Sequence, residues 1–203
     1  MKLKWIIALC ALLSLAIVGC GDSEDVAEAQ RTDIVRFLTS SHTPRLVSVE
    51  DISSSLQAQP PFFERIDNSV YRYIANYYDA DRITRKQVGQ GDEVTLTYTA
   101  YIFNGRAPAI EDVYDTNDVL TLEQLRMAGL NSRYWSVDPL TVKIGGEDII
   151  KGLELSLVGC REGDVVEAYI TSDDAYGKDV VGIVPEKTPV AWFYTIESVG
   201  AAQ

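Results

Sequence analysis

The stretch GQGDEVTLTYTAYIFNG, residues 89–105, alternates strictly once past its Gly91-Asp92 turn. Val94, Leu96, Tyr98, Ala100 and Ile102 fall on one side; Thr95, Thr97, Thr99 and Tyr101 fall on the other. Successive side chains of a strand point to opposite faces, so this period predicts a β-strand with one buried face. Its β-branched and aromatic residues suit a pleated, half-buried surface. Asn104-Gly105 then predicts a tight turn.

Working outward, GDVVEAYITS (163–172) and TPVAWFYTIESV (188–199) alternate in the same way, and PLTVKIGG (139–146) is a short strand ended by two glycines. Between them, EDIIKGLELSLVG (147–159) changes period. Ile150, Leu153 and Leu157 recur at i, i+3 and i+7, which is one face of a helix. Strands, one helix, then strands predict an α+β domain with an antiparallel sheet packed on that helix.

Upstream, DVAEAQRTDIVRFL (25–38) sets Ala27, Ile34 and Leu38 on one helical face, predicting an N-terminal helical extension. Residues 40–68 mix Ser, Pro and short apolar pieces, and are expected to be mostly irregular. SVYRYIANYY (69–78) alternates Tyr71, Tyr73 and Tyr77 against Val70, Ile74 and Asn76, the pattern of a half-buried strand. Within 116–139, Thr121-x-x-Gln124 has the form of a capping box and Gly129 sits where a helix would end. A short helix is expected there, over about 122–128.

The first residues predict an export signal. Lys2 and Lys4 precede the apolar run WIIALCALLSLAIV (5–18), which is somewhat short for a spanning helix. The tetrad IVGC, ending at Cys20, and the acidic GDSED after it resemble a bacterial lipoprotein signal, in which such a cysteine carries lipid. The expected organisation is therefore a signal over 1–19, a tether and extension over 20–85, and the β-rich domain over 86–203. That organisation implies a lipid anchor at the cell envelope, on the outer membrane. Cys10 would leave with the signal, so Cys160 stands alone and no intramolecular disulfide is expected. With the single histidine, His42, far away in sequence, Cys160 is expected to be a small buried hydrophobe. The formal net charge of −12 argues against a nucleic-acid partner, since phosphate contacts need Lys and Arg.

One connection is unusual. DDAYGKDVVGIVPE (173–186) offers Tyr176, Val180, Val181, Ile183 and Val184 where a surface loop is ordinarily polar. It is either a buried strand or one wall of an apolar groove.

Taken together and in order, GDEVTLTYTAYIFNG, KIGGEDIIKGLELSLVGCREGD and DDAYGKDVVGIVPEKTPVAWFYTIE resemble the FKBP-type peptidyl-prolyl isomerases over about residues 87–199. The resemblance implies a curved antiparallel sheet wrapped around one helix, with a proline pocket between them and the 173–186 connection as its flap. It implies catalytic roles for Tyr98, Asp115, the backbone N–H of Ile150 and the hydroxyl of Tyr176. It further implies a pocket lined by Tyr114, Leu140, Ile149, Leu153, Ile183, Val184 and Tyr194. Leu153 stands where well-known members carry a Trp, and Leu140 where they carry an aromatic. The 116–139 segment follows Tyr114-Asp115 directly, so its helix is expected to rim the groove.

Isomerising an X–Pro bond makes and breaks no covalent bond. The obstacle is amide resonance, a barrier of roughly 18–20 kcal/mol. No metal or cofactor is called for. The implied substrates are proline-containing exported polypeptides. Two other readings stay open: a non-catalytic chaperone or binding module on the same fold, and a surface adhesin or receptor component whose contacts lie in residues 25–80.

Overall fold

A computed structural model describes residues 21–52, 59–131 and 135–200; the signal over 1–19 and the lipidation of Cys20 lie outside them. Helix α1 (Gly21–Arg36) runs into a π-helical turn (Phe37–Ser41), followed by strands β1 (Val47–Ser48), β2 (Phe62–Ile66), β3 (Val70–Ile74), β4 (Glu93–Ile102) and β5 (Val113–Thr116). Helix α2 (Val119–Met127), β6 (Leu140–Lys143), helix α3 (Lys151–Leu157), β7 (Val165–Ile170) and β8 (Val190–Gly200) complete the chain.

The strands form one mostly antiparallel, curved sheet in the order β1-β2-β3-β7-β8-β4-β5, with β6 sharing an edge of β4 with β5. Among the described residues only the short β1–β2 pair is parallel. The alternating 89–105 stretch supplies β4, the central strand. It pairs with β8 from Glu93 opposite Gly200 to Ile102 opposite Val190. Its inward set, Val94, Leu96, Tyr98 and Ala100, is buried in a core shared with Leu153 and Leu157 of α3. This is the α+β fold expected: a curved antiparallel sheet on one helix, with an N-terminal helical extension.

The extension is a third layer. Ile34 of α1 and Phe37 and Leu38 of the following turn pack on the outer face of the sheet against Tyr71, Tyr73, Phe103 and Tyr169. Each large apolar side chain so covered contributes about 1.5–3 kcal/mol relative to exposure. That cover corrects the expectation for residues 69–78. The strand stops at Ile74 and turns after it, and every residue of β3 is buried. Val70 and Ile74 enter the inner core while Tyr71 and Tyr73 enter the outer one.

Residues 40–68 also depart from expectation, because they contain the end of the π-helical turn, β1 and β2. Asp67 and Asn68, both in the left-handed region (φ 50° and 58°), close the β2–β3 hairpin. Asp and Asn tolerate that region better than other non-glycine residues. The inserted helix α2 starts earlier than the capping-box pattern predicts. Asp118 is its N-cap, with its carboxylate accepting from the Thr121 N–H at 2.7 Å and from the Thr121 hydroxyl at 2.7 Å.

One polar contact latches the extension to the sheet. His42, nearly buried, sets Nε2 2.9 Å from Glu167 Oε2 on β7 and Nδ1 2.5 Å from the Pro44 carbonyl. The Tyr169 hydroxyl donates to the same Glu167 oxygen at 2.7 Å, and the rings of Phe37 and Tyr73 close the pocket. Both ring nitrogens face acceptors, an arrangement that only the doubly protonated ring satisfies. Burial opposes that charge, but the bonds to Glu167 and Pro44 outweigh it and raise the His42 pKa above its ordinary 6.5. A raised folded-state pKa gives stability that is complete below the unfolded value and lost as pH climbs through the folded one. The thermal midpoint is therefore expected to fall as pH rises above about 6.5, and His42→Gln should flatten that dependence. An equal slope in the variant would show that the latch does not carry it.

Candidate active site

A groove of about 450 Å³ opens between the inner face of the sheet and the start of α3. Its floor is Leu153, fully buried on α3. The helix lies this close because residue 152 is glycine: a Cβ there would sit 2.3 Å from Ile170 Cγ2 on β7. Ile149 and Ile150, just before the helix and with Ile150 in extended backbone, form one lip. Among the described residues the Ile150 N–H has no acceptor.

The opposite wall is aromatic. Tyr98 on β4 stacks on Trp192 of β8, with ring centroids 4.7 Å apart and planes 22° apart. The Tyr98 hydroxyl donates to Asp115 Oδ2 at 2.8 Å, which fixes the carboxylate of β5 at the groove edge. Tyr176 closes one end, and its hydroxyl donates to the Tyr114 hydroxyl behind it at 3.2 Å. Leu140 closes the other end. Burial raises the pKa of Tyr98, Tyr114 and Tyr176, and for Tyr98 the bond to Asp115 adds to it. All three phenols stay protonated donors through the neutral range.

The connection after β7 is neither a strand nor a wall along its whole length. Val181 and Val184 exchange backbone hydrogen bonds at 3.0 and 2.8 Å in a tight turn. Val184 points inward and is fully buried, whereas Ile183 is 63% exposed. The extension holds both ends of this flap. Gln30 of α1 donates to the Lys187 carbonyl and accepts from the Ser172 N–H, each at 2.8 Å.

A sequence model of the FKBP-type peptidyl-prolyl cis-trans isomerases matches residues 84–193, more than half of the chain. The chain belongs to this family. No curated protein matches it. The family match starts after β3, yet β3 pairs with β7 along its full length in the same sheet.

Seven of the residues expected for an isomerase of this family line the groove: Tyr98, Asp115, Leu140, Ile149, Ile150, Leu153 and Tyr176. Tyr114 stands one layer behind Tyr176. The remaining three are elsewhere. Val184 is core beneath the flap, and Ile183 faces outward. Tyr194 is also core, with its hydroxyl 2.9 Å from Ser156 Oγ on α3. The groove position belongs to Trp192, two residues earlier. Residues 192, 194 and 196 of β8 share one face, so periodicity finds the face but not how far along it the groove lies. Helix α2 does not rim the groove either. It buries none of its side chains, and Asp118 at its start faces the outer side of the sheet, beside Thr97, Thr99 and Glu167. The rim comes instead from Trp135 to Thr141 at the end of the insertion. Cys160 is fully buried, and burial pushes its thiol pKa up to about 11, so it is no nucleophile.

Trp192→Ala is expected to weaken binding of a proline peptide by about tenfold, or roughly 1.4 kcal/mol. Tyr194→Phe should leave binding within about twofold and lower stability by about 1 kcal/mol, through loss of the Ser156 partner. Titration and denaturant melts of the two variants check this; the reverse pattern would return Tyr194 to the site.

Proposed function

We propose that this chain is a peptidyl-prolyl cis-trans isomerase that acts on X–Pro bonds of exported polypeptides, held at the cell envelope by a lipid on Cys20. The observation that carries the reading is the groove itself. It combines an apolar Leu153 floor, the stacked Tyr98–Trp192 wall and, at the lip, an Ile150 N–H that has no acceptor among the described residues.

The chemistry follows from those parts. A planar X–Pro amide is more polar than the twisted amide at the top of the barrier. Moving it from water to an apolar wall therefore favours the twisted form. A prolyl ring on Leu153, Tyr98 and Trp192 meets such a wall. The Ile150 N–H would donate to a substrate carbonyl. The Tyr176 hydroxyl would serve a second carbonyl by exchanging its Tyr114 partner for it. Asp115, held by Tyr98, orients the rim and receives no proton. The chain contributes position and solvent exclusion, with no nucleophile, general base or cofactor in the step.

Support for the setting comes from the sequence alone: the charged start, the apolar run and the IVGC tetrad ending at Cys20. Among the described residues no helix is long and apolar enough to cross a membrane.

Isomerisation of a neutral proline peptide, followed by exchange spectroscopy, should be accelerated at a rate nearly flat between about pH 6 and 8, because the step transfers no proton. Tyr176→Phe should cost up to about tenfold, the worth of one neutral hydrogen bond. Binding without acceleration would make the chain a chaperone-like binder, and a bell-shaped profile would mean acid–base chemistry. In cells, Cys20→Ser should release the chain from the membrane fraction and abolish acylation detected by mass spectrometry. Unchanged fractionation of that variant would remove the lipid anchor.

A further inference from the structure

The rim of the groove carries one sign of charge. Asp115, Glu147 and Asp148 line it, and among the described residues no Lys or Arg does. Glu147 and Asp148 are exposed and, among the described residues, make no ion pair or hydrogen bond. A second cavity of about 460 Å³ adjoins the groove, sharing Tyr98, Asp115 and Leu140 with it. Its own walls are Trp135, Pro139 and the carboxylate residue Asp138, again with no cation among the described residues.

This annex is built rather than incidental. Buried Asn117 ties the wall to the central strand. Its Oδ1 accepts from the Tyr98 N–H at 2.7 Å, and its Nδ2 donates to the Leu96 carbonyl at 3.0 Å and the Asp138 carbonyl at 3.1 Å. Ser136 donates to Asp138 Oδ2 at 2.6 Å, which sets that carboxylate at the cavity edge. A cavity that sets Trp135, Pro139 and Leu140 beside the carboxylates of Asp115 and Asp138 matches one kind of side chain, a long aliphatic stem with a cationic head. The stem of Lys or Arg packs along apolar surface while the head stays at the charged end, and an aromatic ring such as Trp135 attracts it further.

Resting on the isomerase reading of the groove, we infer that the preferred substrates carry Lys or Arg next to the proline, seated in the Trp135–Asp138 annex and along the Glu147–Asp148 lip. Acidic flanking residues are disfavoured by the same charges.

The test uses the purified full chain and two blocked peptide series, Ala-Xaa-Pro-Phe and Ala-Ala-Pro-Xaa, with Lys, Gln or Glu at Xaa. Both Kd and the isomerisation rate are read for each peptide. In at least one series Lys should bind about tenfold more tightly than Glu at low salt, with Gln between them. The ratio should shrink toward about twofold at 1 M salt, where screening reaches about 3 Å. The triple variant Asp138→Asn, Glu147→Gln, Asp148→Asn should reduce it similarly. Glu50→Gln, Asp51→Asn and Asp81→Asn, which remove the same total charge away from the groove, should preserve it. Equal binding of Lys and Glu peptides, or equal loss of the ratio in both triple variants, would overturn the inference. Acceleration of the Gln peptide with no Lys–Glu difference would leave the isomerase standing without its cationic preference. The ordered Kd series with no acceleration would do the opposite.

Discussion

Arg72 holds the molecule's inner architecture together. It lies on β3, nearly buried, and its guanidinium reaches the far end of α3. There it donates to the Ser156 carbonyl at 2.8 Å and the Val158 carbonyl at 2.7 Å, while Nε donates to Glu64 on β2 at 2.9 Å. A helix leaves its last carbonyls without partners and carries partial negative charge there. For a helix of seven residues those ends are most of the structure, and isolated helices so short do not persist in water. A cation fixed to the sheet supplies both the missing donors and the compensating charge.

The groove follows from that constraint. Arg72 holds the end of α3, Tyr194 adds a second hold there through its hydroxyl on Ser156, and the start is drawn against β7 by the absence of a side chain at Gly152. Leu153 then has one position, as the floor. The extension works on the same groove from the other face of the sheet. Through Gln30 it fixes both ends of the flap, and through His42 it is itself fixed to Glu167. Residues before the family match are thus part of the site's support.

Periodicity made most of this legible. The strands over 93–102, 165–170 and 190–200 and the helix over 151–157 all follow from alternation or a helical stripe, since each buries a face against a continuous core. Ala27, Ile34 and Leu38, read as one helical face, are each fully buried. What escaped was set by contacts between distant segments. β2 sits in a Pro- and Ser-rich stretch whose strand character comes from pairing with β3, although Asp67-Asn68 is a turn signal that could have located the hairpin. Trp192 and Tyr194 share a face, and only the placement of α3 decides which is wall and which is core. Asn117, which positions the annex, looks like any loop asparagine until its partners on β4 and at Asp138 are seen.

The dependence of the groove on Arg72 is tested most directly by native-state hydrogen exchange of an Arg72→Met chain. The substitution keeps an apolar stem and removes the donors, leaving buried carbonyls unpaired at a cost of about 3–5 kcal/mol. Protection should fall most at the amides of Glu154, Ser156, Leu157 and Val158, more than at the β4–β8 amides, with a parallel loss of proline-peptide binding. Helix protection and binding that stay at the parent level, or fall only in step with the whole sheet, would contradict the claim that Arg72 sets the floor of the site.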